Sequence, residues 1–545
     1  MHTPNRPSRH RVVAFAALAI ALCSGFAGAQ AENENGPINH LGGGPLPKNE
    51  TACVSAEQEL EIERQVEQFR QENPGYLDRL EQFRNGCEQP PFTFYPVAGT
   101  FGQDLIMTNW VDLQTGSGRL DWNCTQITYD GHKGHDATIN GFAAQAMGVP
   151  IFAAKDGIVV VRADGHPDMN TGPNNQNQPS NLVVIDHGGF TTTYLHMKLG
   201  SVSVNLNDYV RAGQQIGLVG SSGYSSGPHL HFETKVNSQS IEPHAGPCRD
   251  GCSWWTDQVG PHMETFVLDF SFSRTDLWTV SPPPWPTPRD NQKVLADQTT
   301  YFWMIVGNSP ANGTWQTKFY RPDGTLGFDS GVRTYVAPYF RWDWWRFRWN
   351  LPELRTIPGT WRMQFFINGQ LRIDSPLEVV SAYNTNFNRP PKLIGVEFEP
   401  TYPRAGEVLI CKVLTNLISR DLDNDLIRYR YQWTVNGEIV RDIVSAALTD
   451  VLAVGSFEQG DAVRCQVTPN DGKVDGATVS AEAPYCLGDS DLDLNVTFND
   501  ITITLANFGR SYPLGVPAPG DSDGDRVVTF NDITIVLANF GASCM

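Results

Sequence analysis

Between about residues 94 and 485, apolar side chains come in short runs broken by Gly and Asn, and no stretch sustains a helical period. Runs such as 157–161, 181–186, 190–196 and 215–219 have the length and β-branched content of strands. A chain patterned in this way has to bury its core between sheets, so a mainly β fold of antiparallel sheets and turns is expected here. One segment upstream differs. Residues 55–83 are dense in Glu, Gln and Arg with apolar residues at helical spacing, interrupted at Pro74-Gly75, which predicts a helical hairpin serving as pro-segment or spacer.

At 545 residues the chain exceeds one core, and about 150 residues per domain suggests three or four. The expected divisions are a leader at 1–29, a linker and helical segment at 30–93, a His-bearing β unit at 94–253, a Trp-rich β-sandwich at 254–388, an immunoglobulin-like sandwich at 389–485 and a repeat module at 486–545. Lys plus Arg total 40 against 59 Asp plus Glu, for a formal charge of -19. Such a surface repels phosphate backbones, so nucleic acid is excluded as a partner.

The leader carries Arg6, Arg9 and Arg11 ahead of an apolar run at 12–22 that is too short to span a bilayer. Small residues around Ala27 to Ala31 offer cleavage sites; Leu22 before Cys23 disfavours a lipoprotein signal. The expected product is exported (periplasmic, extracellular or cell-surface), with no membrane span. Ten cysteines suit that compartment. The expected pairs are Cys411–Cys465, Cys486–Cys544, Cys53–Cys87 and Cys248–Cys252, with Cys124 left over.

Three His patches stand between Gly131 and Glu233: GHKGHD with His132, His135 and Asp136; TTYLHM ending in His196; and HLHFE with His229 and His231. Zinc favours imidazole and carboxylate donors, and a hydrolytic site uses three so that water can take the fourth place. In a strand, His229, His231 and Glu233 share one face, each roughly 7 Å from the next. One imidazole can then bind metal while its neighbour stands over the reacting water. On spacing alone His132 and His135 compete for the first ligand position, and Glu233 is either an orienting neighbour of an imidazole or an exposed carboxylate.

The stretches YDGHKGHD, VPIFAAKDGIVV, VIDHGG, TTYLHM, DYVRAGQQIGLVGSSG and SSGPHLHFE together resemble, in order and spacing, the lysostaphin-type (LytM-like) zinc metalloendopeptidases. The resemblance implies a β fold of duplicated hybrid motif type. It implies zinc ligands His132, Asp136 and His231, with His132 preferred over His135, and catalytic roles for His196 and His229. It further implies hydrolysis of peptide bonds in peptidoglycan cross-links. DYVRAGQQIGLVG also resembles biotinyl and lipoyl carriers, but the lysine-bearing hairpin tip those need is missing.

The last sixty residues repeat. GDSDLDLNVTFNDITITLANFG from Gly488 and GDSDGDRVVTFNDITIVLANFG from Gly520 agree at 18 of 22 positions. Asp489, Asp491, Asp493, Thr497 and Asp500 fall at loop positions one, three, five, nine and twelve, as do Asp521, Asp523, Asp525, Thr529 and Asp532. Position seven, Asn495 or Val527, contributes its backbone carbonyl. Hard oxygen donors at this spacing suit calcium. A short helix is expected after each loop, at 499–508 and 531–540. The pair resembles dockerin type I modules, which implies a cohesin-like partner. It departs from the EF-hand signature at position six (Leu494, Arg526), and from dockerins in carrying Phe498-Asn499 and Phe530-Asn531.

RWDWWRFRWN at 341–350 is either a set of sugar platforms or, the favoured reading, a strand filling a core. Asp421, Asp423 and Asp425 are read as a solvated turn rather than a cation site. The rival to an enzyme is a non-catalytic cell-wall or polysaccharide-associated binding protein anchored through the dockerin-like module.

Overall fold

The computed structural model describes residues 54–80, 90–172, 178–401, 403, 406–415, 421–458, 461–483, 487–491, 493, 495–512, 518–523 and 527–543. The expected leader and linker, Cys53, Cys87, Cys486, Cys544 and Asp525 lie outside them, and with them the expected Cys53–Cys87 and Cys486–Cys544 pairs. The described residues are mainly β, with few helices.

Helix α1 (Ala56–Glu72) starts where the Ser55 hydroxyl accepts the Gln58 N–H at 3.2 Å, with Glu57 and Glu59 in its first turn. It ends at Pro74-Gly75, where Gly75 takes φ 86°. A single 3-10 turn, Tyr76–Arg79, follows. The expected hairpin is thus one helix and a turn, because Pro and a left-handed Gly together break the period.

The strands after it are β1 (Leu105–Asn109), β2 (His135–Ile139), β3 (Pro150–Phe152), β4 (Gly157–Ala163), β5 (Leu182–Asp186), β6 (Thr191–Leu195), β7 (Tyr209–Val210), β8 (Gln215–Leu218), β9 (His229–Val236) and β10 (Gln239–Ile241). Eight form one antiparallel sheet in the order β1-β2-β9-β6-β5-β4-β7, with β10 on β9; β3 and β8 pair separately. A short helix α2 (Gly141–Met147) follows β2. Every residue of β5 and β6 is buried, since the sheet is covered on both faces. Val183, Ile185, Tyr194, Leu230 and Phe232 face the main core with Phe152. Ile158, Val160, Leu182, Val184 and Leu195 face the other way, against Ile62 and Phe69 of α1 and against Tyr76. Double coverage explains why these strands read as continuous apolar runs rather than alternations.

Downstream, a three-stranded sheet (Phe266–Ser273, Thr300–Ser309, Phe340–Trp349) packs on a six-stranded one over Phe302, Trp345, Phe347, Trp349, Trp361 and Phe365. Trp342 and Trp344 point from the opposite face of Phe340–Trp349 onto Ile106, Leu268 and Leu277. The indoles of the Trp-rich strand therefore fill cores on both sides. A third pair of sheets encloses Phe398, Leu409, Tyr431 and Trp433. Cys411 and Cys465 lie in this core as free thiols, correcting the expected disulfide. Burial, with Cys411 alongside, pushes the Cys465 thiol up. Val408, Ala447, Val451 and Val454 of this unit belong to the same core as Phe152 and Ile216, and the seam is tied by Ala446 N–H to Gly148 O and Val454 N–H to Ala212 O, each 2.9 Å.

Two further readings change. Cys248 is bonded to Cys124, not to Cys252, across a sequence separation of 124, where Cys248 N–H meets Trp122 O at 3.0 Å; Cys252 is disulfide-bonded as well. Asp421 and Asp423 are 1% exposed rather than solvated, with the Arg389 guanidinium 2.7 Å from Asp423.

At the C-terminus, α3 (Phe498–Ala506) and α4 (Phe530–Ala538) each begin with a capping box, Thr497 with Asp500 and Thr529 with Asp532. Phe508 meets Phe530 edge-on at 5.6 Å.

Candidate metal centre and catalytic cleft

The register of the large sheet builds the site. In the pairing of β2 with β9, Asp136 stands opposite His231 and Thr138 opposite His229; in β6 with β9, Leu195 stands opposite His231. Side-chain alternation sends His229, His231, Glu233 and Lys235 to one face of β9 while Leu230 and Phe232 enter the core. His132 comes from the turn before β2. His196 directly follows β6 at φ 62°, a left-handed conformation rare outside Gly and Asn and one that costs about 1–3 kcal/mol.

Three donor atoms converge. His132 Nε2 is 3.3 Å from His231 Nδ1 and 3.2 Å from Asp136 Oδ2, and His231 Nδ1 is 2.9 Å from Asp136 Oδ1. With metal–ligand distances of about 2.0–2.2 Å, donors on a tetrahedral zinc stand about 3.3–3.5 Å apart, so this two-nitrogen, one-oxygen set fits that ion. All three residues are 2% exposed. Asn109 Nδ2 donates to Asp136 Oδ2 at 2.9 Å, orienting the carboxylate. Burial works against the Asp136 charge, yet His132 and His229 hold its carboxyl well below the usual range. For His132 burial also opposes the charge, and the Asp136 carboxylate raises the imidazole above its ordinary value nonetheless.

Backbone carbonyls fix three tautomers. His132 Nδ1 lies 2.7 Å from Trp110 O, His196 Nδ1 2.7 Å from Ser222 O, and His229 Nδ1 2.8 Å from Gly227 O. A carbonyl only accepts, so each Nδ1 carries hydrogen, and in a neutral ring each Nε2 keeps a bare lone pair. Among the described residues, Nε2 of His196 and of His229 are buried without a hydrogen-bond partner, His229 Nε2 standing 3.6 Å from Asp136 Oδ1, and the two rings stand 4.5 Å apart. Burial lowers the pKa of both, well below the ordinary value for His196, which favours the neutral, proton-accepting form.

His135, the rival first ligand, points to the other side of β2. Its Nε2 lies 3.0 Å from Glu242 Oε1, which His244 Nδ1 also meets at 2.8 Å. This buried His135–Glu242–His244 group is a second set able to hold a metal. Burial pushes His244 down to about 4. Neither Glu242 nor His244 was singled out from the sequence, because no spaced motif joins them to His135. Glu233 bonds the Ser240 hydroxyl and stands 3.7 Å from Lys235 rather than orienting an imidazole. Lys235 was also passed over, although it continues the alternation 229, 231, 233 on β9.

In the tail, Asp489, Asp491 and Asp500 bring carboxylate oxygens within 4.8 Å of one another, as do Asp521, Asp523 and Asp532. Asp493 accepts Asn495 N–H at 2.8 Å, and the Thr497 and Thr529 hydroxyls cap their helices. Asn495 and Val527 sit on isolated bridges to Ser543 and Ser511.

Residues 131–243 match the model of Peptidase family M23, so the chain carries a peptidase domain of that zinc metallopeptidase family. Peptidoglycan DD-endopeptidase ShyA of Vibrio cholerae is 36% identical over 99 residues, 18% of this chain and 20% of that protein. DD-carboxypeptidase/endopeptidase Mpg of Neisseria meningitidis is 35% identical over 103 residues, again 18% and 20%. Lysostaphin of Staphylococcus simulans is 35% identical over 177 residues, 29% of this chain and 34% of that protein. The chain thus spans about a fifth to a third of the length of these relatives. Among solved structures, the catalytic domain of lysostaphin from Staphylococcus simulans is 28% identical, covering 25% of this chain and 85% of that one, with a TM-score of 0.18.

Proposed function

We propose that the protein is an exported zinc metalloendopeptidase that hydrolyses peptide bonds in peptidoglycan cross-links. The observation that carries this is the convergence of His132 Nε2, Asp136 and His231 Nδ1 beside two bare imidazole nitrogens, those of His196 and His229. In this reading His132, Asp136 and His231 are the ligands. A zinc ion held there would supply a water nucleophile with a pKa of about 7 and would polarise the scissile carbonyl. His229 and His196, their rings 4.5 Å apart, then act side by side at the reacting carbon. A bare Nε2 takes the proton of the attacking water and, once protonated, donates to the oxyanion or to the departing amine. Their Nδ1–H bonds to Gly227 and Ser222 carbonyls keep both rings aimed during that transfer.

The C-terminal repeats are read as a dockerin-like calcium module, with Asp489, Asp491, Asp500 and their counterparts Asp521, Asp523, Asp532 supplying carboxylates, and 389–485 as an immunoglobulin-like spacer. Zinc stoichiometry measured together with hydrolysis of purified peptidoglycan tests the reading. About one tightly held zinc per chain and release of new amino termini are expected. A zinc-loaded protein that leaves peptidoglycan peptides intact overturns it.

A further inference from the structure

The cleft that holds the three donor atoms continues along β9 as a cavity of about 190 Å³, lined by His132, His231, Glu233, Lys133, Lys235 and, from α1, Glu59. Its far end carries two lysines among the carboxylates of Glu59, Glu63 and Glu233. Lys235 is 6% exposed, on the same strand face as His229 and His231. Lys133 follows His132 directly and reaches the same place from the opposite wall. One carboxylate joins them: Glu59 Oε1 is 2.6 Å from Lys133 Nζ and 3.3 Å from Lys235 Nζ. Burial works against the Glu59 charge, and the two ammonium groups hold its carboxyl below the ordinary value all the same.

The helix that brings Glu59 has two unlike ends. Its C-terminal part is anchored: Phe69 and Tyr76 are buried on β4 and β5, and Asp186 accepts from Arg70 at 2.8 Å and from the Tyr76 hydroxyl at 2.7 Å. Its first turns, at the cleft, are half-buried, and ion pairs to Lys133 and Lys235 hold them. A lysine buried to this degree needs a carboxylate partner. Glu63 Oε1, also on α1, lies 3.5 Å from Lys235 Nζ, and Glu233, its neighbour on the strand, stands 3.7 Å away and is bonded to Ser240; of the three, Glu59 is the one that also meets Lys133.

We propose that Lys133 and Lys235 form a carboxylate-binding subsite of the peptidase cleft, which takes a free carboxyl group of the substrate peptide and which Glu59 occupies in this structure as its stand-in. The proposal rests on the peptidase reading for the identity of the substrate. The ligand class follows from the chemistry: two ammonium groups converging on one carboxylate, in a channel continuous with the reacting centre. The helix contributes no donor to the metal set, so its first turns compete with substrate at the subsite and leave the ligands in place.

The test uses the full chain and one fluorescently labelled muropeptide, prepared with free carboxyl groups and in chemically amidated form. Binding is followed by anisotropy and cleavage by mass spectrometry. Glu59→Gln removes the carboxylate shared by the two lysines at constant shape, and should bind the free acid at least about tenfold more tightly than the wild type. It should also prefer the free acid to the amide by a similar factor. Adding Lys235→Met, or Lys133→Met should the buried substitution impair folding, should abolish that preference, while Lys235→Arg retains it. In cleavage the preference should appear in KM with kcat unchanged. A Glu59→Gln protein that binds both forms equally, or binds the acid no better than wild type, overturns the subsite. Selective binding without cleavage keeps the subsite and rejects the peptidase reading; cleavage of both forms at equal KM does the reverse.

Discussion

At the scale of single residues, the proposed function divides the cleft between groups that hold and groups that transfer. His231→Ala removes one of three donors and should drop zinc from about one per chain toward none, measured by metal analysis after dialysis. His229→Ala leaves all three donors and should keep its zinc, while kcat falls about 100- to 10,000-fold, the usual contribution of a general acid–base group. Full zinc in the first variant, or wild-type turnover in the second, would reverse the assignment. Far from the cleft, burial and then the neighbouring carboxylates Asp425 and Asp423 push Asp421 up to about 7. An unfolded Asp titrates near about 3.9. Between those values the folded chain binds the extra proton, so this group's stabilisation is complete below pH ~4 and is lost as pH rises through about 7. Asp421→Asn keeps an oxygen for the Asp423 N–H, 2.7 Å away, and abolishes the titration. Its Tm should exceed that of wild type at pH 8, and the excess should shrink on acidification and vanish below pH ~4, by calorimetry; a variant less stable at both ends would mean the carboxylate is held for another reason.

Individual elements show what the sequence made legible. The three converging donors and the imidazoles of His196 and His229 stand in short motifs, and strand alternation places His229 and His231 side by side from their numbers alone. The partners of an element are another matter. The apolar spacing of α1 announces a helix with one buried face, yet nothing local says that this face lies on β4 and β5 or that Glu59 reaches the cleft. Cys124 and Cys248 likewise meet only because distant loops fold together, so spacing favoured the wrong neighbour, Cys252. The tail loops are the opposite case. Asp500 Oδ1 accepts the Asp491 N–H at 3.1 Å and Oδ2 accepts Thr497 N–H at 2.7 Å, so the carboxylate at position twelve already ties loop to helix, and Asp532 does the same. Asp489 and Asp491 close to Asp500 place like charges together, a repulsion a calcium ion would relieve. Hydrogen exchange in α3 and α4 should slow on adding calcium and quicken with chelator, because a ligand of the folded form alone stabilises it by mass action. Exchange indifferent to calcium would remove these loops from the list of calcium sites.

Over the whole molecule, the unit containing Val408, Ala447, Val451 and Val454 does not hang from the peptidase part on a linker. Those side chains complete the core that also contains Phe152, Val210 and Ile216. Arg441 spans the seam, bonding Asp450 at 2.7 Å and Gln215 at 2.9 Å. Two units that share one core should unfold as one, whereas units joined by a flexible segment open separately. Val451 is 3% exposed, and Val451→Asp would bury an unpaired carboxylate between them, at a cost of several kcal/mol. The expected result is loss of hydrogen-exchange protection in β3 and β8 together with Thr449–Leu452, and a single calorimetric transition shifted to lower temperature. Val440→Asp, at a position 46% exposed on the same unit, should leave both unchanged within about 0.5 kcal/mol. Peptidase strands that keep full protection while Thr449–Leu452 opens would show that the seam is an abutment between independent bodies. A joint loss would mean that the zinc cleft, one sheet away, depends for its stability on residues more than two hundred positions further along the chain.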